Sequence, residues 1–256
     1  RFKHLKRLCC VHGRYSVARN SLTVMFSFYK NLIVALINFY FSFFTGASGL
    51  TYVDGWLLSF FNFAFTSIPP LLLGMFDKDV ADQALMADAK LFPDLAKGLY
   101  FDPMTIAKWF GEGFLHSILL YFVAYPTQLR GDIQGYRVMD FTMHGTIVMS
   151  AMVILVLVKL CLHIRCWQAA QVGGMAYSFF QYPLFLVLYA AIPSLFGVTA
   201  FHHVAYMVMG DVKFWLYIGL FVVGLLFPID VAAIFVQRQM FPTIHDRAQS
   251  RYELLE

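Results

Sequence analysis

Lys30 lies in Phe28-Tyr29-Lys30-Asn31, inside an apolar run from Leu22 to Phe44 that holds no other charge. A lysine ammonium is a compact point charge that pairs with a carboxylate or a phosphate. Inside an apolar span it is costly and marks a substrate path, an ion path or a partner. At a rise of about 1.5 Å per residue it sits roughly 12 Å inside the start of the run. It can therefore face the bundle interior, with Asn31 beside it, or snorkel back to the interface. Neighbours on a helix diverge by about 100°, so the two need not share a partner. A second group follows in Asn62, Thr66 and Ser67, with Pro69-Pro70 after it. Asn62 and Thr66 are spaced i and i+4, which predicts one shared face. The two prolines break the helix and free carbonyls near Phe65 and Thr66. A polar stripe on a loosened helix suits the wall of a substrate or ion path. The same side chains can also serve as glue between helices.

Other polar residues suggest less. Glu112 and His116 are again i and i+4, a spacing that suits a structural hydrogen bond. Asp230, after Pro228 near the inner end of the last span, is expected to pair with a cytoplasmic cation or to cap a helix. His202-His203 would need further ligands to hold a metal. There is no glycine-rich phosphate loop, no cysteine pair at zinc spacing and no nucleophile–base arrangement. We assign no catalytic residue, no metal and no cofactor to this chain.

The elements that must position these residues are membrane helices. Of 256 residues, 60% are hydrophobic and 13% charged, where soluble domains carry roughly 25% charged residues. The mean hydropathy is +0.66. Six runs reach the roughly 20 residues needed to cross a bilayer, at about 22–44, 56–76, 109–126, 141–163, 178–197 and 214–236. The third is the shortest, bounded by Trp109 and Tyr125. All are too long and too uniformly apolar for barrel strands. The predicted fold is an all-α membrane protein, a bundle of six transmembrane helices.

Fifteen lysines and arginines fall in 1–20, 77–108, the end of the fourth span and the tail; Arg130, Arg137 and Lys213 alone fall in the opposite loops. The positive-inside rule then makes both termini cytoplasmic. Residues 1–20 read as a cytoplasmic lead-in helix with a break at His12-Gly13, 21–243 as the six-span domain and 244–256 as a cytoplasmic tail. Residues 45–55 read as a tight outer turn, and 127–140 and 198–213 as short outer loops. The net charge of +4 is explained by topology, and nucleic-acid binding is excluded. Cys9, Cys10, Cys161 and Cys166 fall on or near the reducing side, where thiols stay free; Cys9-Cys10 could be acylated. The basic start is not a cleavable signal peptide, and no repeat of the kind seen in inverted-repeat carriers stands out.

Several segments, in order, resemble one family. Residues 1–8 (Arg-Phe-Lys-His-Leu-Lys-Arg-Leu) and 11–16 (Val-His-Gly-Arg-Tyr-Ser) resemble the lead into the fifth span of type-four P-type ATPases, the phospholipid flippases. Phe28-Tyr29-Lys30-Asn31 resembles that span's signature. Residues 52–56, Phe61-Asn62 and 65–69 (Phe-Thr-Ser-Ile-Pro) resemble span six, and 74–80 (Gly-Met-Phe-Asp-Lys-Asp-Val) its exit. Pro228-Ile229-Asp230 and 237–243 resemble the final span and its exit. Cys9-Cys10, Tyr15 and Lys78 depart from the pattern, and none removes a functional position.

The resemblance implies the last six of ten spans of an ATP-driven enzyme that moves phospholipid from the outer to the cytoplasmic leaflet. It places Lys30 and Asn31 on the lipid headgroup path, with Asn62 nearby. ATP and Mg2+ would belong to the full-length parent. Its phosphorylated Asp-Lys-Thr-Gly-Thr motif, its nucleotide and actuator domains and its first four spans lie outside these 256 residues, so the chain is expected to be a piece of a longer product. A lysine in place of the acidic ligands of ion-pumping relatives argues against a metal-cation pump. The implied partners are phospholipid, membrane and a small glycosylated accessory subunit docked on the outer loops. The implied location is a eukaryotic plasma membrane or a Golgi or endosomal membrane. Two rival readings are a self-contained six-span transporter that selects anions at Lys30, and a non-transporting membrane scaffold.

Overall fold

The computed structural model describes residues 4–80, 82–87, 101–129, 141–192, 201 and 204–240. Every regular element among them is helical, the form that satisfies backbone groups within one segment. Helix α1 is Leu5–Phe44 and α2 is Gly55–Phe76. A short α3, Asp82–Ala87, precedes α4, Pro103–Leu129. Then come α5, Phe141–His163, α6, Ala169–Ala191, and α7, Val204–Gly210. Helix α8 covers 212–240 as Val212–Leu216, a π-helical stretch Tyr217–Leu226, and Phe227–Met240. By length and composition, α1, α2 and α5 are apolar enough to cross a membrane.

Three expectations about local structure change. The helix does not break at His12-Gly13. It continues through a π-helical stretch, Leu8–Gly13, whose wider turn keeps the backbone hydrogen-bonded and turns Val11 fully inward. Helix α4 begins at Pro103, before the expected 109, and α6 begins at Ala169, where the Gln168 and Gln171 side chains form a reciprocal capping box. The predicted loop 198–213 contains α7, and Phe201 just before it stacks on Tyr189 with ring centroids 4.2 Å apart. The tail 244–256, most of the 127–140 loop and His202-His203 lie outside the described residues.

The turn between α1 and α2 is built from its sequence. Thr45 N–H bonds the Phe41 carbonyl (3.1 Å) and Ala47 N–H that of Ser42 (2.9 Å), closing the helix through Gly46 at φ +59° and Ala47 at φ +57°. Glycine takes this left-handed backbone freely, whereas Ala47 bears a cost of about 1–2 kcal/mol. Asp54 then caps α2 by accepting from Trp56 N–H (2.9 Å), and the same Oδ1 accepts from the Tyr189 hydroxyl (3.0 Å). The turn is thereby fastened to α6.

Helix α5 runs through the middle of the bundle, with Val148, Met149, Ala151, Val156 and Leu157 at zero exposure. Gly145 permits its close approach to the turn, since a Cβ there would strike the Tyr52 carbonyl oxygen. At the bundle end bearing the lead-in, a charged clamp joins three segments. Arg14 pairs with Asp79 at 2.9 Å, both side chains buried. Arg19 donates to the Met75 carbonyl (2.8 Å) and to that of Asp77. The Asp77 carboxylate accepts from the backbone N–H of Arg165 (3.0 Å) and of Cys166 (2.9 Å).

Candidate functional site

Three consecutive residues of α1 face three directions, as a turn of about 100° per residue requires. Tyr29 is buried toward α4, where its hydroxyl meets His116 Nδ1 at 2.6 Å. Lys30 is buried toward α2, only 6% exposed. Asn31 is exposed. Lys30 does not snorkel: its Nζ donates to Thr66 Oγ1 at 3.0 Å and lies 5.8 Å from the centre of the Phe61 ring. A cation against an aromatic face gains about 0.5–2 kcal/mol, a small return on the cost of burying it.

Thr66 reaches Lys30 because α2 changes pitch. Phe61–Phe65 is π-helical, and Thr66 N–H bonds the Phe61 carbonyl, five residues back, at 3.2 Å. The sequence predicts Asn62 and Thr66 on one face. The wider turn instead stacks Thr66 over Phe61, both fully buried, and leaves Asn62 exposed. The Thr66 hydroxyl donates to the Phe61 carbonyl (2.6 Å), so its lone pairs are left for Lys30. The Ser67 hydroxyl caps the Phe63 carbonyl (2.7 Å). Pro69 and Pro70 are buried in the first turn of the next α-helical stretch, Ile68–Phe76, where missing N–H groups cost little. The structure thus brings Lys30 to Thr66 and Phe61, with Ser67 one residue along, while Asn31 and Asn62 stand exposed.

Sequence reading missed a second buried cation. Lys159 enters the charge count as an interfacial residue, yet it is 1% exposed. Its Nζ lies 2.7 Å from Asp230 Oδ1 and 3.0 Å from Glu112 Oε2, bridging α5 to α8 and α4. Asp230 does pair with a cation, as expected. His116 Nε2 lies 3.5 Å from the same Asp230 oxygen, so Glu112 and His116 converge on this centre and not on each other. The i and i+4 spacing of Glu112 and His116 and the expected pairing of Asp230 were the visible signals; the reach of Lys159 across to two other helices was not legible.

Lys30 has no such company: among the described residues no carboxylate lies within ion-pair distance of it. The bundle therefore holds a buried ammonium whose single described hydrogen-bond partner is a neutral hydroxyl. This arrangement can accept an anionic group from outside the chain.

A family model for the C-terminal region of phospholipid-translocating P-type ATPases matches residues 1–243. The chain belongs to this family. It is 30% identical over 223 residues to the phospholipid-transporting ATPase DRS2 of Saccharomyces cerevisiae, covering 84% of this chain and 16% of that protein. It is 29% identical over a 257-residue alignment to the phospholipid-transporting ATPase IC of Xenopus tropicalis, covering 98% of this chain and 20% of that protein. With the human phospholipid-transporting ATPase ID it shares 33% identity over 171 residues, 66% of this chain and 14% of the relative. The chain thus spans a fifth or less of the length of these relatives.

Proposed function

We propose that this chain is the membrane domain of an ATP-driven flippase that moves phospholipid from the outer to the cytoplasmic leaflet, and that Lys30 lies on the headgroup path. The observation that carries the reading is the buried Lys30 ammonium with Thr66 as its hydrogen-bond partner and no carboxylate nearby among the described residues. An ammonium has three N–H donors, and Thr66 takes one. A lipid phosphate would supply both the missing counter-charge and acceptors for the others. Exposed Asn31 and Asn62 on adjoining helices would offer amides to the rest of a headgroup, with Ser67 near the same wall. The π turn and Pro69-Pro70 would give this wall its freedom to move. The names of the relatives, phospholipid-transporting ATPases, support the substrate class.

In this reading the six spans of about 22–44, 56–76, 109–126, 141–163, 178–197 and 214–236 are carried by α1, α2, α4, α5, α6 and α8, with both ends cytoplasmic. The helices extend beyond several of these limits, which suits tilted spans. A small glycosylated accessory subunit would dock on the outer turns around 45–55, 126–140 and 198–213, in a plasma membrane or a Golgi or endosomal membrane. ATP, and Mg2+ with it, would serve the full-length protein. The described residues hold no cluster of three His, Cys, Asp or Glu side chains that could hold a metal ion.

The test is uptake of fluorescent phosphatidylserine, phosphatidylethanolamine and phosphatidylcholine by cells expressing the full-length parent, wild type against Lys30→Ala at matched surface abundance. Selective loss of uptake supports the reading, and unchanged uptake of all three removes Lys30 from the path. Transport by the 256-residue chain alone, without ATP, would favour a self-contained anion transporter.

A further inference from the structure

The hydroxyls of Tyr29 and Tyr40 both join α1 to α4. Tyr29 meets His116 at 2.6 Å, and Tyr40 meets Ser117 Oγ at 3.1 Å. The two tyrosines are about three turns apart on one face of α1. Between them the helices touch closely: a Cβ on Gly113 would lie 3.0 Å from Leu32 Cδ2 and 3.4 Å from Tyr29 Cδ2. The Tyr29 ring is boxed in by the Trp109 edge, centroids 5.8 Å apart, the His116 ring at 5.9 Å and the Lys159 ammonium 5.8 Å from its centre. The other nitrogen of His116, Nε2, faces the Asp230 carboxylate at 3.5 Å. That anion favours the imidazole proton on Nε2. Nδ1 is then an acceptor, and the Tyr29 O–H donates to it.

This bond opposes rotation of α1 about its axis. Side-chain atoms stand roughly 6 Å from a helix axis, so a turn of about 20° displaces them by about 2 Å. A displacement of that size at Lys30 would separate it from Thr66 and carry it toward the exposed side where Asn31 stands. We propose that Tyr29 and His116 are positioning residues for Lys30: the Tyr29–His116 hydrogen bond fixes the rotation of α1 at which the Lys30 ammonium meets Thr66. The role in transport rests on the reading of Lys30 as part of the headgroup path.

The experiment uses the full-length parent. Lys30→Cys is labelled with a methanethiosulfonate reagent, alone and combined with Tyr29→Phe, and labelling at position 30 is read by peptide mass spectrometry. Tyr29→Phe keeps the ring and deletes the hydroxyl. Labelling is expected to rise about 3- to 10-fold, the worth of one buried hydrogen bond. His116→Gln should move it in the same direction. An unchanged rate in both variants overturns the proposal, whatever the kinetics. The second arm is lipid-stimulated ATP hydrolysis in mixed micelles of phosphatidylserine, phosphatidylethanolamine or phosphatidylcholine. Tyr29→Phe, with Lys30 in place, is expected to raise the half-saturating lipid concentration about 3- to 10-fold while kcat changes less than about 2-fold. A fall in kcat at unchanged half-saturation overturns the positioning role. If Lys30→Met leaves half-saturation unaltered, the headgroup reading falls and this role in transport falls with it, while the labelling result still decides the rotation.

Discussion

Lys30 and Lys159 are both lysines buried in one helical bundle, 6% and 1% exposed, and they are solved in opposite ways. Lys159 has two carboxylates within 3.0 Å, on two other helices. Lys30 has a threonine hydroxyl and a phenyl face. Burying an ion costs several kcal/mol, offset only by close partners of opposite charge. Lys159 meets that condition inside the chain, so its charge serves assembly. Lys30 does not meet it, and a bundle built for stability alone would have an apolar residue there. On the proposed reading, this asymmetry separates a structural cation from one kept for a ligand.

The sharpest way to break this comparison is to remove each lysine in turn. Lys159→Ala leaves Asp230 and Glu112 without their shared cation, a loss of about 3–5 kcal/mol for a broken buried pair. In the full-length protein we expect a marked fall in thermal stability and in recoverable monodisperse material, measured by fluorescence-detected size exclusion after heating. Lys30→Met should do the reverse. It deletes an uncompensated charge, so thermal stability is expected to hold or rise by up to about 1 kcal/mol, while lipid uptake is lost. Equal destabilisation by both variants would make Lys30 another structural cation and end the distinction.

Thr66→Val sharpens it at the level of one bond. The substitution removes the hydroxyl that accepts a hydrogen bond from Lys30 Nζ and donates one to the Phe61 carbonyl. Loss of a hydrogen bond to a charged group costs about 1.5–3 kcal/mol. Because Thr66 takes one of the three Lys30 donors and a phosphate would take the others, Thr66→Val should lower thermal stability by about that much and raise the half-saturating lipid concentration, as Tyr29→Phe does. A level or lower value would make Thr66 a resting partner that the headgroup displaces.

How far the sequence foretold this contrast depends on whether a signal was local or crossed between helices. That Lys30 stands apart from its surroundings was legible from one charge in an apolar run, and the direction of Asn31 away from it followed from helical geometry. Thr66 was named, but its face was assigned on α-helical spacing. The local π pitch of Phe61–Phe65 moved Asn62 off that face. The lead-in break at Gly13 failed for the same reason: a π turn absorbs a glycine that α-helical rules read as a stop. Lys159 was misread because its position near a span end is equally suited to the interface. Only the arrival of Asp230 from α8 and Glu112 from α4 decides the matter, and such meetings have no signature in a single chain. Helix α7 was hidden because a short apolar helix in a connecting segment resembles a loop.

A third setting completes the gradient, where the charges are half in water. Asp82 accepts from the Tyr15 hydroxyl at 2.7 Å, with Arg7 at 3.4 Å and Lys78 at 3.7 Å. The Tyr15 hydrogen bond holds its carboxyl below the usual range; partial burial opposes this, and Lys78 and Arg7 add to it. A depressed folded-state value means the stabilisation is present at neutral pH, above the unfolded value of about 3.9, and is lost as pH falls through the folded value. Exposed pairs of this kind contribute roughly 0–1 kcal/mol and are screened by salt. Asp82→Asn should therefore change thermal stability at pH 7 by no more than about 0.5 kcal/mol, and the difference from wild type should shrink below about pH 4. The buried Arg14–Asp79 pair should show a far larger loss on Asp79→Asn, measured in the same way. If the two aspartates responded alike, burial would not be what sets the worth of a charge in this bundle, and the inference drawn from Lys30 and Lys159 would lose its footing.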